Sequence, residues 1–501
     1  MRITSRTVLA TLTALSALAG ACARPPRLAA DLIITGAEIW TGNQAQPAAT
    51  AVAVIGDRIV EVGGTEQIER WRGPNTNVLD AGGRRLIPGF NDACVRFVDG
   101  GTALDEVDLK DAATVEEFAR RINERARAKP GEWLLGGQWD ERRWTPPELP
   151  TRAVIDDVTN SSPVFVVRYD GRMALANAAA LGRAGVTEGT TDPPDGAIVR
   201  GANGFPTGVL QGAAMDIGAR VIPKVTPEQR LRVLKRALEH AESLGVTSVQ
   251  DAGATYEDIA AYADLANRGE LTVRVYAVPA EGGWYDLAKL GVHRSFGSPW
   301  LRIGAVRAMV DRSNDLDELR TRLMAADHAG LQLFADAAGD ASASTVIGLL
   351  EDIARGNGGR DRRSQIGGSR LAPADIERLG SVNAVVRVQP DPGNGALGPL
   401  PGGGIPISVG TGWPSVPLNP MLAIEAALAR GLTVAGALAA YTSGSAFAEF
   451  QEGVKGTIAA GQLADMVVLS EDILSIPTER IKDVRVLTTI VGGRLVHQRK
   501  P

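Results

Sequence analysis

Across residues 85–448, apolar runs of strand length alternate with helical patterns, and this alternation restricts the fold more than any other feature of the chain. Strands joined by helix-length crossovers run parallel, and a parallel sheet must bury both faces under helices. Strand candidates fall at 85–91, 133–136, 164–168, 247–251, 273–278, 302–310, 331–335, 384–388 and 405–409. Helix starts are marked by side chains that accept from the first free backbone N–H groups. Thr114-Val115-Glu116-Glu117 opens a helix to about Ala128, and Thr226-Pro227-Glu228-Gln229 opens another through Leu244. Further helical patterns fit 315–329, 341–355, 372–379, 420–430 and 433–448. Eight or nine β/α repeats over about 370 residues predict an α/β fold, an elaborated (β/α)8 TIM barrel, with its chemistry at the C-terminal strand ends.

The two ends of the chain differ from this middle. Residues 31–40 and 51–63 are short alternating segments with Gly56-Asp57 as a hairpin turn, and 464–469 and 484–497 repeat the style around Gly492-Gly493. They predict a small composite β-sandwich built from both termini, 30–84 and 453–498, around a barrel at 85–452. Residues 1–23 read as an export signal: Arg2 and Arg6 precede an apolar stretch at 8–18 and the small residues Ala19-Gly20-Ala21. Cys22 then stands where a bacterial lipobox places its cysteine. Lipidation of Cys22 would give a membrane-anchored lipoprotein, and ordinary cleavage near Cys22 or Ala23 a free periplasmic protein.

Charge excludes one class of partner. The 53 basic and 58 acidic residues are interspersed to a formal charge of −5, so no concentrated basic surface for nucleic acid is predicted. The glycine-rich stretches at 356–360 and 400–404 lack the strand-turn-helix setting of a phosphate loop, and the basic run at 360–363 reads as a solvated edge. Four histidines and two cysteines leave few donors for zinc or iron.

Several segments carry a resemblance: ADLIITGAEIWTG, RRLIPGFNDA, GGQWDERRW, RYDGRMALANAAAL, GVTSVQDAG, GTGWPSVPLNP and GTIAAGQLADMVVL. Together they resemble the amidohydrolase superfamily, in the branch typified by N-substituted formamide deformylase. The resemblance implies a barrel of the metal-dependent hydrolase type, one or two divalent metals such as Zn²⁺, and hydrolysis of carbon–nitrogen bonds in linear amides. Its motifs are degenerate here. In PGFNDACVRF, Cys94 and Arg96 stand at the positions of the family's His-x-His. Arg307 matches the bridging lysine, Asp336 a histidine, and Gly367 or Gly368 a second histidine. Gly412 replaces the aspartate that serves as metal ligand and base, and Arg172 the histidine of a DGH motif. The segment after Asp311 is also shorter than the family's substrate-covering segment. His240, His293, His328 and His497 lie in predicted helices, a loop and the terminal hairpin, away from these motifs.

No metal and no other cofactor is therefore predicted. The expectation is that Arg96, Arg172 and Arg307 replace lost metal charge by pairing with Asp92, Asp311 and Asp336. This makes either structural salt bridges or a cationic pocket for a carboxylate- or phosphate-bearing ligand. The function expected is that of an exported, catalytically degenerate homologue that binds a small anionic or amide-bearing ligand, or that assembles as a homo-oligomer or with an active paralogue. The alternative is an active hydrolase, either through Cys94 as a nucleophile activated by Arg96 with Asp336 as base, or through an oxygen-rich cation site of Asp92, Asp251, Asp311 and Asp336.

Overall fold

The computed structural model describes residues 28–159, 161–311, 315–337, 340–367, 371–390 and 404–499. The leader at 1–23, Cys22, Gly368 and most of the glycine-rich stretch at 400–404 lie outside them. Eight parallel strands form the central barrel: Phe90–Val95, Val246–Ala252, Arg274–Val278, Leu301–Ile303 continued by Ala305–Val310, Gln332–Ala337, Gln365–Gly367, Val385–Val388 and Ile407–Val409. The fourth strand breaks at Gly304, whose φ of +131° and close approach to the His293 carbonyl exclude a side chain. The ring closes between the eighth strand and the first, where Gly412 N donates to Cys94 O at 2.8 Å and Arg96 N to Trp413 O at 2.8 Å. Every residue of Val246–Ala252 and Gln332–Ala337 is buried, as expected for strands covered on both faces.

Three sequence expectations about strands are corrected. The candidates at 133–136 and 164–168 are strands, Leu134–Trp139 and Val164–Arg168, but they belong to a separate six-stranded sheet inserted between the first and second barrel strands. They pair in parallel across the helix Ala153–Thr159, so their local pattern is that of barrel strands and only their neighbours differ. The candidate at 85–91 divides at Gly89: Arg85–Pro88 joins a terminal sheet and Phe90–Val95 enters the barrel. The sixth barrel strand, Gln365–Gly367, is only three residues long and went unread.

A six-stranded sheet combines strands from both ends of the chain, and it shares a core with a four-stranded sheet of residues 32–80 through Ile34, Val52, Val54, Leu86, Met466 and Ile490. The predicted helix at 433–448 is interrupted: Val434–Ala439 widens into a π turn over Ala440–Gly444 before Ser445–Ala448. The basic run at 360–363 is not a solvated edge. Arg360 and Arg362 both engage the buried Asp327, and the Arg363 guanidinium lies 3.7 Å from the Phe447 ring centre. Among the described residues no helix is long and apolar enough to cross a membrane.

Candidate functional site

The first barrel strand delivers its side chains in two directions. Cys94 joins Ala252, Tyr276, Val278, Ala305 and Phe334 in a small apolar cluster contributed by the first five strands. Asp92 does not accompany it, because the pairing with the second strand shifts register between Asp92 and Val95. Its carboxylate accepts instead from Tyr441 Oη at 2.8 Å and from the backbone N–H groups of Thr411 and Cys94. Asp251 is likewise committed elsewhere, accepting from Tyr262 Oη at 2.6 Å and Phe97 N at 3.0 Å. The expected pairing of Asp92 with an arginine is thus corrected: a hydroxyl and backbone donors satisfy it, and among the described residues no guanidinium pairs with it.

The charged centre is Asp336, at the end of the fifth strand. Arg307 Nε, from the fourth strand, donates to Oδ2 at 2.6 Å, and Arg307 Nη1 donates to Ala252 O at 2.8 Å. Arg387, from the seventh strand, donates through Nη2 to Oδ1. Its side chain is 0 % exposed, and its Nε and Nη1 have no acceptor. Gly367 makes room for this clasp, since a Cβ there would sit 2.5 Å from Arg387 Nη2 and 2.8 Å from Asp336 Oδ1. Beside it opens a cavity of about 360 Å³ lined by Cys94, Arg96, Arg307, Gln389, Thr411 and Trp413. Arg96 is about half exposed, and its nearest carboxylate is Asp99, at 3.6 Å.

The structure thus brings together Cys94, Arg96, Arg307 and Asp336, with Asp311 directly after the fourth strand. Arg172 is corrected: it is exposed in the hairpin between Val164–Arg168 and Met173–Ala176 of the inserted sheet, lining a separate depression with Met173 and Gln211. Arg387 went unread, although a lone arginine in the apolar run Ala384-Val385-Val386-Arg387-Val388 was the available signal. A cation in a strand buried on both faces needs a partner.

Two chemical expectations also change. The Cys94 thiol is not activated by Arg96; burial pushes it up, against the pull of Arg387 and Arg307, so it is a poor nucleophile. The described residues do not fit a metal. Among the described residues no three His, Cys, Asp or Glu side chains gather to hold one, Asp336 has both oxygens engaged by guanidinium donors, and Asp92 and Asp251 are tied to tyrosines. His240 packs on Trp413 with ring centres 5.6 Å apart, and burial lowers its pKa.

The two tyrosine-bound aspartates carry a pH dependence. Burial raises Asp92 to about 6 and Asp251 to about 7. An unfolded aspartate ionises near 3.9, so from about pH 4 to 7 the unfolded chain has already lost protons that the folded chain still holds. That stabilisation is complete below the unfolded value and is lost as pH rises through the folded values. Asp251→Asn is therefore expected to flatten the fall in thermal midpoint between about pH 4 and 7. An unchanged slope would mean that Asp251 titrates normally in the folded protein.

A family model described as "Amidohydrolase family" matches residues 77–497. Protein LONG AFTER FAR-RED 3 of Arabidopsis thaliana is 30% identical over 94% of this chain and 92% of its own length. The putative amidohydrolase YtcJ of Bacillus subtilis is 25% identical over 93% of this chain and 99% of its own length. N-substituted formamide deformylase of Arthrobacter pascens is 25% identical over 94% and 98%. The crystal structure of an uncharacterized metal-dependent hydrolase from Pyrococcus horikoshii shares the fold, with a TM-score of 0.72 over 89% of this chain and 99% of that one, at 20% identity.

Proposed function

The chain belongs to the amidohydrolase family, and from that premise we propose that it is a member whose barrel mouth captures a small organic anion instead of hydrolysing carbon–nitrogen bonds at a metal. The observation that carries this reading is the clasp of Asp336 between Arg307 and Arg387. Each oxygen of that carboxylate already accepts from a guanidinium that a metal would have to displace, while the half-exposed Arg96 and the partly exposed Arg307 line the cavity beside it. An excess of cationic donors beside a cavity favours a ligand that returns negative charge, and a carboxylate matches the guanidinium fork. A leader-directed export, with Cys22 lipidated or lost on cleavage, belongs to the same proposal.

The test begins with metal content after loading the purified chain with Zn²⁺, Mn²⁺ or Fe²⁺ in turn and desalting. Near-zero stoichiometry, with no hydrolysis of a linear N-substituted formamide, is the expected result. About one metal per chain together with turnover would overturn the reading in favour of an active hydrolase. Benzoate should raise the thermal midpoint of the wild-type chain, and Arg96→Met should weaken its binding about tenfold, the effect of losing one charge-assisted hydrogen bond.

A further inference from the structure

Outside the barrel mouth, the cleft between the inserted sheet and the barrel helix Pro227–Ser243 holds a larger cavity, of about 640 Å³. Its walls come from elements far apart in sequence: the end of helix Val115–Ala128, the start of strand Leu134–Trp139, Arg183 on helix Ala178–Ala184, and one side of Pro227–Ser243. A volume of this size lies in the range of about 300–1,000 Å³ typical of sites for small organic ligands.

The cavity has two unlike halves. One is apolar, formed by Trp133, Leu135, Ile222 and Val225, the last 45% exposed. The Trp133 ring lies under the Arg183 guanidinium at 5.5 Å, and its buried indole N–H has no acceptor. The other half is cationic. The lining carries five cations, Arg125, Lys129, Arg183, Arg232 and Arg236, against the carboxylates of Asp105, Glu106 and Glu132.

The pairing inside this set is unbalanced. Asp105 alone serves three cations, with Lys129 at 2.9 Å, Arg125 at 3.3 Å and Arg236 in direct contact. Lys129 also has Glu132 at 3.9 Å, and burial pulls both Arg125 and Lys129 down. Among the described residues neither Arg183 nor Arg232 has a salt-bridge partner, and Arg232 is exposed at the cavity wall.

We propose that this cleft is a second ligand site, specific for an amphipathic organic anion whose flat apolar body lies against Trp133 and Val225 and whose carboxylate is held by Arg232 and Lys129. Because its walls come from both the inserted sheet and the barrel, occupation ties the two together. The site is independent of the barrel mouth, so either can fail without the other.

The probe is 1-naphthoate, titrated calorimetrically into the full chain. With the mouth weakened by Arg96→Met, saturable binding to one remaining site is expected, and adding Arg232→Gln or Val225→Glu should weaken it at least tenfold. Both substituted side chains are exposed, so the variants should keep the wild-type circular dichroism and thermal midpoint without ligand. Absence of binding, or wild-type affinity in either cleft variant, would overturn the proposal. Loss of binding in Arg96→Met would place the probe at the barrel mouth and overturn it equally. Inorganic phosphate is the second arm: displacement of naphthoate by comparable concentrations of phosphate would show a site that reads charge alone, against the apolar half of the proposal.

Discussion

Asp336→Leu is expected to cost about 3–5 kcal/mol, read as a lower urea midpoint, because it removes the only acceptor, among the described residues, of a guanidinium sealed inside the barrel. Arg387 already buries Nε and Nη1 without acceptors, so losing Asp336 leaves its charge and all its donors unanswered in a low-dielectric site. Arg307 is partly exposed and keeps its bond to Ala252 O, so it suffers less. The double variant Asp336→Leu/Arg387→Met should recover most of the loss, since a buried pair replaced by apolar side chains of similar volume is close to neutral. If Asp336→Leu unfolds at the wild-type midpoint, the clasp contributes nothing and the charge argument for the mouth fails with it. Comparison of midpoints is preferred to a single unfolding free energy, because a chain with several sheets need not unfold in one step.

Glu449→Ala should be comparably severe, about 3–5 kcal/mol, for a related reason at the opposite end of the barrel. Glu449 is 1% exposed and sits among Lys455 Nζ at 2.8 Å, Asn91 Nδ2 at 2.7 Å and Arg302 Nη1 at 3.5 Å. Arg302 Nη2 is already without a partner, and burial pulls Lys455 down. Removing the carboxylate would leave two buried cations facing each other. Glu449→Gln should be milder, because the amide oxygen still accepts from Asn91. Asn91, Ser248 and Arg302 lie toward the N-terminal ends of their strands, the end of a barrel where buried charge serves stability rather than chemistry. Benzoate binding at the mouth should therefore survive Glu449→Gln under native conditions, whereas Asp336→Leu should alter both stability and binding. Wild-type stability in Glu449→Ala would show that water or rearrangement compensates the two cations.

Much of the local architecture was readable because it depends on near neighbours. Thr114 caps its helix by accepting from Glu117 N, and Thr226 and Gln229 form the reciprocal capping box that their spacing predicted. Gly492-Gly493 turns the terminal hairpin between Val486–Val491 and Arg494–Gln498. At the site, Cys94, Arg96, Arg307 and Asp336 are named from the sequence only through the resemblance, by the family motif positions they occupy. Arg172 was named on the same grounds and lies elsewhere, because its hairpin belongs to the inserted sheet. Arg387 sits inside an apolar run that hides it, and the second cavity draws on four separate stretches, 102–106, 125–135, 183 and 222–236, that no linear pattern connects.

The sequence by itself determined the periodicity, the caps, the turns and the loss of histidine at the barrel mouth, since each is set by residues within a few positions of one another. Tertiary structure alone decided which strands close the barrel and which form the inserted sheet, because parallel strands of either sheet require the same apolar run. It also decided the direction of each acidic side chain and the state of Cys94. A register shift of one residue sends Asp92 to Tyr441 instead of to an arginine, and burial outweighs nearby positive charge at the thiol. Solvation and partner geometry are sums over atoms distant in sequence, and they exist only once the chain has folded.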